Sequence, residues 1–415
     1  MKIWYDTGIE VYIQEMGEET TQTQKIEELL TRGVENIYPN KEFVQKRLQS
    51  GEKLTVYLGI DPTGESLHIG HAITLRKLKE FQDLGHKVIL LIGDFTALYG
   101  DPDKTETRKI LTDSEVKANA KKYKSQASKI LSFSPFGGAV IKRNSTWLKK
   151  LSFQEVMKIA SYFTVEYMIK RDLFKRRLEK GTPLYIHEFM YPLMQGFDSV
   201  AMNVDGEVGG NDQTFNMLAG RNLMKQMKQK EKFVITTKLL TDKEGTKMGK
   251  TTGNMIRLDD VATDMFGKIM SWNDEMIIPG FELCTTLSLP EIKEIQEELE
   301  KKGNPKDAKE RLAFEITKTY HSLDEAHKAK DFFQSTFSKK KTPEEVDEIH
   351  AEEGASLMEV LVENGLLSSR SEFRRLVEQG AILNKTKEQK VEKADSLVEK
   401  GSVYRVGKMR FVKII

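Results

Sequence analysis

Two short turns carry the groups best suited to handling a polyphosphate. The first, Leu67-His68-Ile69-Gly70-His71, follows the apolar run Val56-Tyr57-Leu58-Gly59-Ile60 and the break Asp61-Pro62-Thr63-Gly64. Apolar residues then recur at helical spacing through Ala72, Leu75, Leu78 and Phe81. A strand that passes through a glycine-containing turn into a helix start presents free backbone N–H groups and the positive end of a helix dipole to an anion. Two imidazoles add donors there, and Gly70 lets a flat ring approach the backbone. The second turn, Lys247-Met248-Gly249-Lys250-Thr251, offers two ammonium groups in a glycine-containing loop. Taken singly, the first also reads as a surface helix cap and the second as a solvated turn. In this order, with a strand directly before the first, they read as two halves of a clamp for a nucleoside triphosphate.

Elements able to hold such a clamp follow from the patterning. Val88–Ile92, Ala139–Ile141 and Phe233–Ile235 are apolar runs of strand length, and helical patterns such as Ser114–Leu131 and Glu155–Ala160 lie between them. Helices over Lys25–Leu30 and over Lys41–Gln49, behind an Asn40 cap, precede the strand that carries Tyr57. The alternation predicts an α/β fold with an open parallel sheet, whose ligands bind beyond the carboxyl ends of the strands. His71 and Asp101-Pro102 both fall just after predicted strands, and Tyr57 points at the same crevice. Tyr191, Gln195 and Asp198 share one helical face. Such groups are costly to bury unless paired, so they form either a ligand-reading set or a satisfied internal network. Gly209-Gly210-Asn211-Asp212-Gln213 follows another apolar run; its glycines permit close approach of a ligand and Asp212 could accept from ribose hydroxyls, an ordinary polar turn being the alternative.

Farther along, Trp147–Arg177 interleaves Lys149, Lys150, Lys158, Lys170, Arg171, Lys175, Arg176 and Arg177 with aromatic residues, which also suits a charged face over an aromatic core. Strand patterns stop at about Thr263, and charged amphipathic helices follow to Ser338. Lys339-Lys340-Lys341 and Thr342-Pro343 read as a linker. The last segment changes pattern: two short helices ending at Gly365 and Gly380, then small strands closing on Met409–Val412. Arg370, Arg374, Arg375, Lys385, Lys387, Lys390, Arg405, Lys408 and Arg410 accumulate on it, as contacts to a phosphate backbone require.

Composition narrows the classes. A chain of 415 residues predicts more than one domain. Lys and Arg (65) nearly balance Asp and Glu (63), so nucleic-acid contact must rely on local patches. The single cysteine, Cys284, excludes an intrachain disulfide framework and a cysteine zinc cluster, and suits a reducing cytoplasm. No long uncharged apolar stretch predicts a membrane span, and Met1–Gly17 does not read as a secretory signal.

His68-Ile69-Gly70-His71 matches the HIGH signature, and Lys247–Thr251 the KMSKS signature, of class I aminoacyl-tRNA synthetases, with Gly249 and Thr251 standing for the two serines. From about residue 36 to the end the chain resembles the bacterial tyrosyl-tRNA synthetases. The resemblance implies an N-terminal extension (1–35), a Rossmann-like catalytic domain (36–262) and a helical anticodon-side domain (263–340). A linker (341–355) and a small α+β RNA-binding domain like that of a ribosomal protein (356–415) complete it. It implies that Tyr57 and Asp198 hydrogen-bond the phenol of L-tyrosine, that Asp101, Tyr191 and Gln195 hold its ammonium group, and that Gln213 lies near its carboxylate and the ribose. Gly59, Asp61, Gly70, Gly210, Asp212 and Lys250 would line the ATP site. Thr63, His68 and His71 would donate to phosphate oxygens, while Lys247, Lys250, Lys104 and Arg108 hold the departing pyrophosphate. Magnesium would accompany ATP without a protein cage, so no metal site is expected. The implied partners are tRNA(Tyr), through Arg370, Arg374, Arg375, Lys385, Lys408 and Arg410, and a second copy of the chain; the implied location is the cytoplasm.

Overall fold

The computed structural model describes residues 22–101, 111–241, 255–301, 303–335, 346–367, 369–387, 389–407 and 410–415. Lys104, Arg108, Lys247, Gly249, Lys250, Thr251 and Lys408 lie outside these residues. Among the described residues no helix is long and apolar enough to cross a membrane.

Contacts divide the chain into two compact units, Met1–Asp260 with Trp272–Tyr320, and Val261–Ser271 with His321–Ile415. The first is built on six strands: β1 (Val34–Tyr38), β2 (Thr55–Ile60), β3 (Lys87–Ile92), β4 (Val140–Arg143), β5 (Gly206–Gly210) and β6 (Phe233–Thr237), in the order β1-β6-β5-β2-β3-β4. β2 to β6 are parallel and β1 closes one edge antiparallel to β6. Continuous apolar runs make the interior strands: every residue of β6 and all but Lys87 of β3 are buried. β1 has no such signature, because Glu35 and Asn36 are exposed on an edge. The expected domain start at residue 36 therefore falls inside a strand. The segment ahead of it also belongs to this unit: the helix over 22–31 buries Ile26, Leu29 and Leu30, and the Arg32 guanidinium donates to the carbonyls of Glu282, Thr285 and Leu287.

Crossover handedness sets the two faces. The helix Ile69–Asp83 (α1) links β2 to β3, and the helix Thr214–Lys228 (α3) links β5 to β6 in the opposite direction along the sheet. Right-handed crossovers running opposite ways place their helices on opposite faces. The helix Ile186–Met202 (α2) packs against α3, and glycines make the approach close: a Cβ on Gly196 would meet the Gly220 nitrogen at 3.1 Å. The direction of the sheet reverses between β2 and β5, which makes that pair the switch point where open α/β sheets hold ligands. The long helix expected over Ser114–Leu131 is two short ones, Asp113–Ala120 and Tyr123–Ala127.

The expected all-helical domain over 263–340 is divided. Trp272–Tyr320 joins the first unit, where the helix Ile277–Cys284 packs on Pro305–Tyr320. The expected boundary at 263 falls within the helix Ala262–Met270, which pairs in the second unit with Leu323–Phe333, the rings of Phe266 and Phe333 lying 5.6 Å apart. The second unit also holds β7 (Asp347–Ile349), β8 (Ile382–Asn384), β9 (Gln389–Lys390), β10 (Val403–Val406) and β11 (Arg410–Ile414), in the order β7-β11-β10-β8-β9. The helices Leu357–Glu363 and Arg370–Glu378 share its core with Leu361, Phe373, Ile382, Val406 and Val412. They end before Gly365 (φ 73°) and Gly380 (φ 60°), in the left-handed conformation that glycine adopts without strain. β7 lies inside the expected linker; with Asp347 and Glu348 exposed, three residues carry too little apolar pattern to announce a strand.

Candidate functional site

The histidine turn builds a donor site from its own capping. His68 is the N-cap of α1: its Nδ1 accepts from Gly70 N–H at 3.2 Å, and His71 Nδ1 accepts from His68 N–H at 3.2 Å. An imidazole that accepts through Nδ1 carries its hydrogen on Nε2, so both rings, with centroids 3.9 Å apart, are donors beside a helix N-terminus. The flat ring that Gly70 admits is that of His68, since a Cβ there would lie 3.0 Å from its Cε1. The chain that follows the lysine loop is pinned to this turn. Ile69 N–H donates to Ile256 at 2.9 Å, Leu258 N–H donates to Leu67 at 2.9 Å, and Gln126 bridges Leu67 N–H to Asp259.

Tyr57 and Asp198, the pair expected at the phenol, are both buried. Asp198 accepts from Trp147 Nε1 at 2.7 Å and Asn144 Nδ2 at 3.2 Å. Burial pushes its carboxyl well above the usual carboxylate range, against the pull of those two donors. Burial, then the charges of Glu207 and Asp198, push the Tyr57 phenol well above the usual tyrosine range. The Tyr57 hydroxyl lies 2.9 Å from Ser199 Oγ, and its neighbour across the ladder is Glu207. Lys232, just ahead of β6, forms a buried ion pair with Glu207. Burial lowers the Lys232 ammonium, and Glu207 opposes this.

The three groups expected at the substrate ammonium converge less directly. Tyr191 donates to Asp61 at 2.8 Å, and Gln195 Nε2 to Glu207 at 3.1 Å. Asp61 also accepts from Thr96 at 2.7 Å. Gly93 makes room for this carboxylate, because a Cβ there would lie 1.9 Å from Asp61 Oδ1. Asp101 accepts from Arg171 at 2.5 Å and from Gln213 and Asn216 at 3.1 Å each. Arg171, read from the sequence as one of a surface run, is 5 % exposed and turned into the site.

Gly59 is exposed near the carboxyl end of β2, and a Cβ would meet nothing closer than 3.9 Å, so the protein leaves space above it. Gly209 and Gly210 belong to β5 itself rather than to a turn, and Asn211–Gln213 form one turn of 3₁₀ helix. Gly209 is needed for Met217 Sδ, which would lie 2.7 Å from its Cβ, and Gly210 for the Asp212 carboxylate at 2.6 Å. Thr63 is half-buried in the bend before the histidines. Among the described residues no group of three or more His, Cys, Asp or Glu could hold a metal ion.

On the second unit, Arg370 pairs with Glu359 at 3.0 Å and Arg410 with Glu372 at 3.2 Å. Arg374 and Arg375 are exposed and Lys385 is half-buried. Sequence reasoning missed Thr96, Asn144, Trp147, Ser199, Glu207, Asn216 and Lys232. The available signal was a carboxylate directly before Val208-Gly209-Gly210 and a lysine directly before the fully buried Phe233-Val234-Ile235.

Residues 49–338 match the family described as tRNA synthetases class I (W and Y). A tyrosine–tRNA ligase of Francisella tularensis is 41 % identical over 94 % of this chain and 98 % of its own length. One of Carboxydothermus hydrogenoformans is 43 % identical over 94 % and 97 %. Among solved structures, a C-terminally truncated mitochondrial tyrosyl-tRNA synthetase of Coccidioides posadasii superposes with a TM-score of 0.61 at 25 % identity, covering 78 % of this chain and 99 % of that one. With the switch-point site, the histidine turn and this family match together, the chain belongs to the class I tRNA synthetases of the tryptophan and tyrosine group.

Proposed function

We propose that this chain is a tyrosine–tRNA ligase: it activates L-tyrosine with ATP to tyrosyl-adenylate and pyrophosphate, then passes the tyrosyl group to the 3′ end of tRNA(Tyr). The observation that carries the reading is the end-to-end likeness to curated tyrosine–tRNA ligases, 41 % and 43 % identical over 94 % of the chain. A buried tyrosine hydroxyl and a buried carboxylate in the crevice favour a phenol over an indole. Phenylalanine would offer neither of them a hydrogen bond in place of the water it displaces, which costs more than a missing apolar contact.

In this reading the tyrosine carboxylate attacks the α-phosphorus while the protein positions the reactants and stabilises charge, with no protein nucleophile. The Nε2–H groups of His68 and His71, with Thr63, donate to phosphate oxygens as the α-phosphorus becomes five-coordinate. Lys247 and Lys250 hold the pyrophosphate, with Lys104 and Arg108; the hydrogen bonds that join Ile256 and Leu258 to the histidine turn support a clamp closed from both sides. Gly59, Asp61, Gly70, Gly210 and Asp212 line the nucleotide site. Asp101, Tyr191, Gln195 and Gln213 orient the amino acid, and magnesium enters as part of the ATP substrate.

The helical segment after β4 leaves Phe153 80 % and Ile186 84 % exposed, together with Met157 and Val165, which supports a second copy of the chain as partner. The tail supplies tRNA contacts through Arg374 and Arg375, and the chemistry belongs in the cytoplasm. ATP–pyrophosphate exchange with a panel of amino acids tests the activity. Tyrosine alone should support exchange; exchange with tryptophan instead, or with no amino acid, overturns the reading.

A further inference from the structure

Behind Tyr57 lies a buried ion pair, and its meaning rests on reading the crevice as a tyrosine pocket. The side chains of Lys232 and Glu207 are 0 % and 2 % exposed. Burying two charges costs free energy that their attraction offsets only when the remaining donors and acceptors are satisfied, and an apolar pair often serves a core as well. Space is reserved for this one: a Cβ on Gly220 would sit 2.7 Å from Lys232 Nζ and 2.8 Å from Ser199 Oγ. The ammonium also lies 5.6 Å from the centre of the Tyr57 ring.

The hydrogen bonds around the pair have a direction. Lys232 Nζ donates to Ser199 Oγ at 2.9 Å. An ammonium has donors only, so this bond uses one Ser199 lone pair, and the Tyr57 oxygen, 2.9 Å away, is in place to take the Ser199 hydrogen. With that hydrogen accepted, Tyr57 has its own to give, and a group beyond it competes for it with Glu207, which hydrogen-bonds the phenol and raises it. Asp198, close enough to act on the Tyr57 hydroxyl electrostatically, receives N–H donors from Trp147 and Asn144 and stands as an acceptor.

We propose that Lys232, acting through Ser199, orients the Tyr57 hydroxyl as a donor toward the substrate ring, so that these two residues with Glu207 set the preference for a phenol over a phenyl ring. The series runs from Lys232 N–H to Ser199, from Ser199 O–H to Tyr57, from Tyr57 O–H to the substrate phenol oxygen, and from the phenol O–H to Asp198. Only a ring hydroxyl both accepts and donates at that point. Glu207 neutralises the ammonium and accepts from Gln195 at 3.1 Å, which ties the ring end of the pocket to a residue at its ammonium end. All three act through Tyr57 and are positioning residues.

The test is ATP–pyrophosphate exchange with tyrosine and with phenylalanine, in the full-length wild type, in Ser199→Ala and in the double variant Lys232→Met/Glu207→Gln. Ser199→Ala keeps the ion pair, and the double variant leaves no lone buried charge, so each is designed to fold; circular dichroism checks that it does. One lost hydrogen bond should reduce kcat/KM for tyrosine about tenfold, mainly through KM, with phenylalanine unchanged, so that the preference shrinks about tenfold. A wild-type preference in folded Ser199→Ala, or an equal fall for both amino acids, overturns the proposal. A wild type that fails to use tyrosine strikes the pocket reading itself, whereas a tyrosine-specific wild type with insensitive variants strikes only the role of Lys232 and Ser199.

Discussion

Each imidazole of the histidine turn uses its Nδ1 to cap the backbone, and this fixes which nitrogen can serve a phosphate. The fold and the proposed chemistry therefore act through opposite edges of the same rings. His71→Ala removes one Nε2 donor from the transition state and should raise the barrier to adenylate formation by about 2–4 kcal/mol. Tyrosine affinity should hardly change, because the donor serves the phosphate. Stopped-flow adenylate formation at the wild-type rate would remove the imidazole from the clamp. Tyr57→Phe tests the other end of the substrate. It should narrow the preference for tyrosine over phenylalanine by about 0.5–1.5 kcal/mol, the net worth of one hydrogen bond. Unchanged discrimination in competitive exchange would exclude Tyr57 from the pocket. Gly93→Ala places a methyl carbon 1.9 Å from the Asp61 carboxylate that accepts from Tyr191 and Thr96. Overpacking of this kind should cost about 1–3 kcal/mol of stability, read as a lower urea midpoint. A wild-type midpoint would mean that this carboxylate can move freely.

Among the elements, β2 and β5 matter most, because their register sets Tyr57 opposite Glu207. Asp205 holds the start of both strands: it accepts from Thr55 N–H at 2.8 Å and pairs with Lys230 at 3.0 Å and Arg47 at 3.1 Å. Burial alone would raise its carboxyl, but the Thr55 amide and the two cations outweigh burial and hold it below the usual range. Its folded value thus lies below its unfolded one, so its stabilisation is present above the unfolded value and is lost as pH falls through the folded one. Asp205→Asn should lower stability by about 1–2 kcal/mol at neutral pH, and the difference should fade below about pH 4. Urea unfolding of both proteins at each pH checks this; a difference that persists in acid assigns the effect to packing rather than charge. The same elements show what was legible beforehand. β3 and β6 announced themselves because both their faces are buried and Val88–Ile92 and Phe233–Ile235 form unbroken apolar runs. β1 and β7 did not, since an edge strand or a three-residue strand needs little apolar surface. Tyr57, Tyr191, Gln195 and Asp198 were legible as polar residues in apolar surroundings. Lys232 and Glu207 were not, because a charge just before or at the start of a strand ordinarily faces water, whereas these two are buried.

At the scale of the whole molecule, the near balance of charge means that recognition of a polyanion must come from local geometry. The second unit distributes its cations unevenly. Arg370, Lys387, Arg410 and Lys413 each meet a carboxylate, on Glu359, Glu399, Glu372 and Glu348. Arg374 and Arg375 stand exposed on the helix Arg370–Glu378 with no carboxylate partner among the described residues. Those two are proposed to meet phosphates, and the tail is a sheet with its own core, β7 included. A deletion that tests its role should therefore begin at residue 346, ahead of β7, so that no strand of that sheet is left behind. The truncated chain should retain tyrosine-dependent pyrophosphate exchange, since every residue proposed for activation precedes the cut, but should charge tRNA poorly. In the full chain, Arg374→Glu with Arg375→Glu should reproduce the charging defect. If each arginine neutralises one phosphate, the pair should also lower the slope of log affinity against log salt by about two. Exchange that fails together with charging would show that the cut damages the first unit. Normal charging with an unchanged salt slope would move the tRNA contacts off the tail.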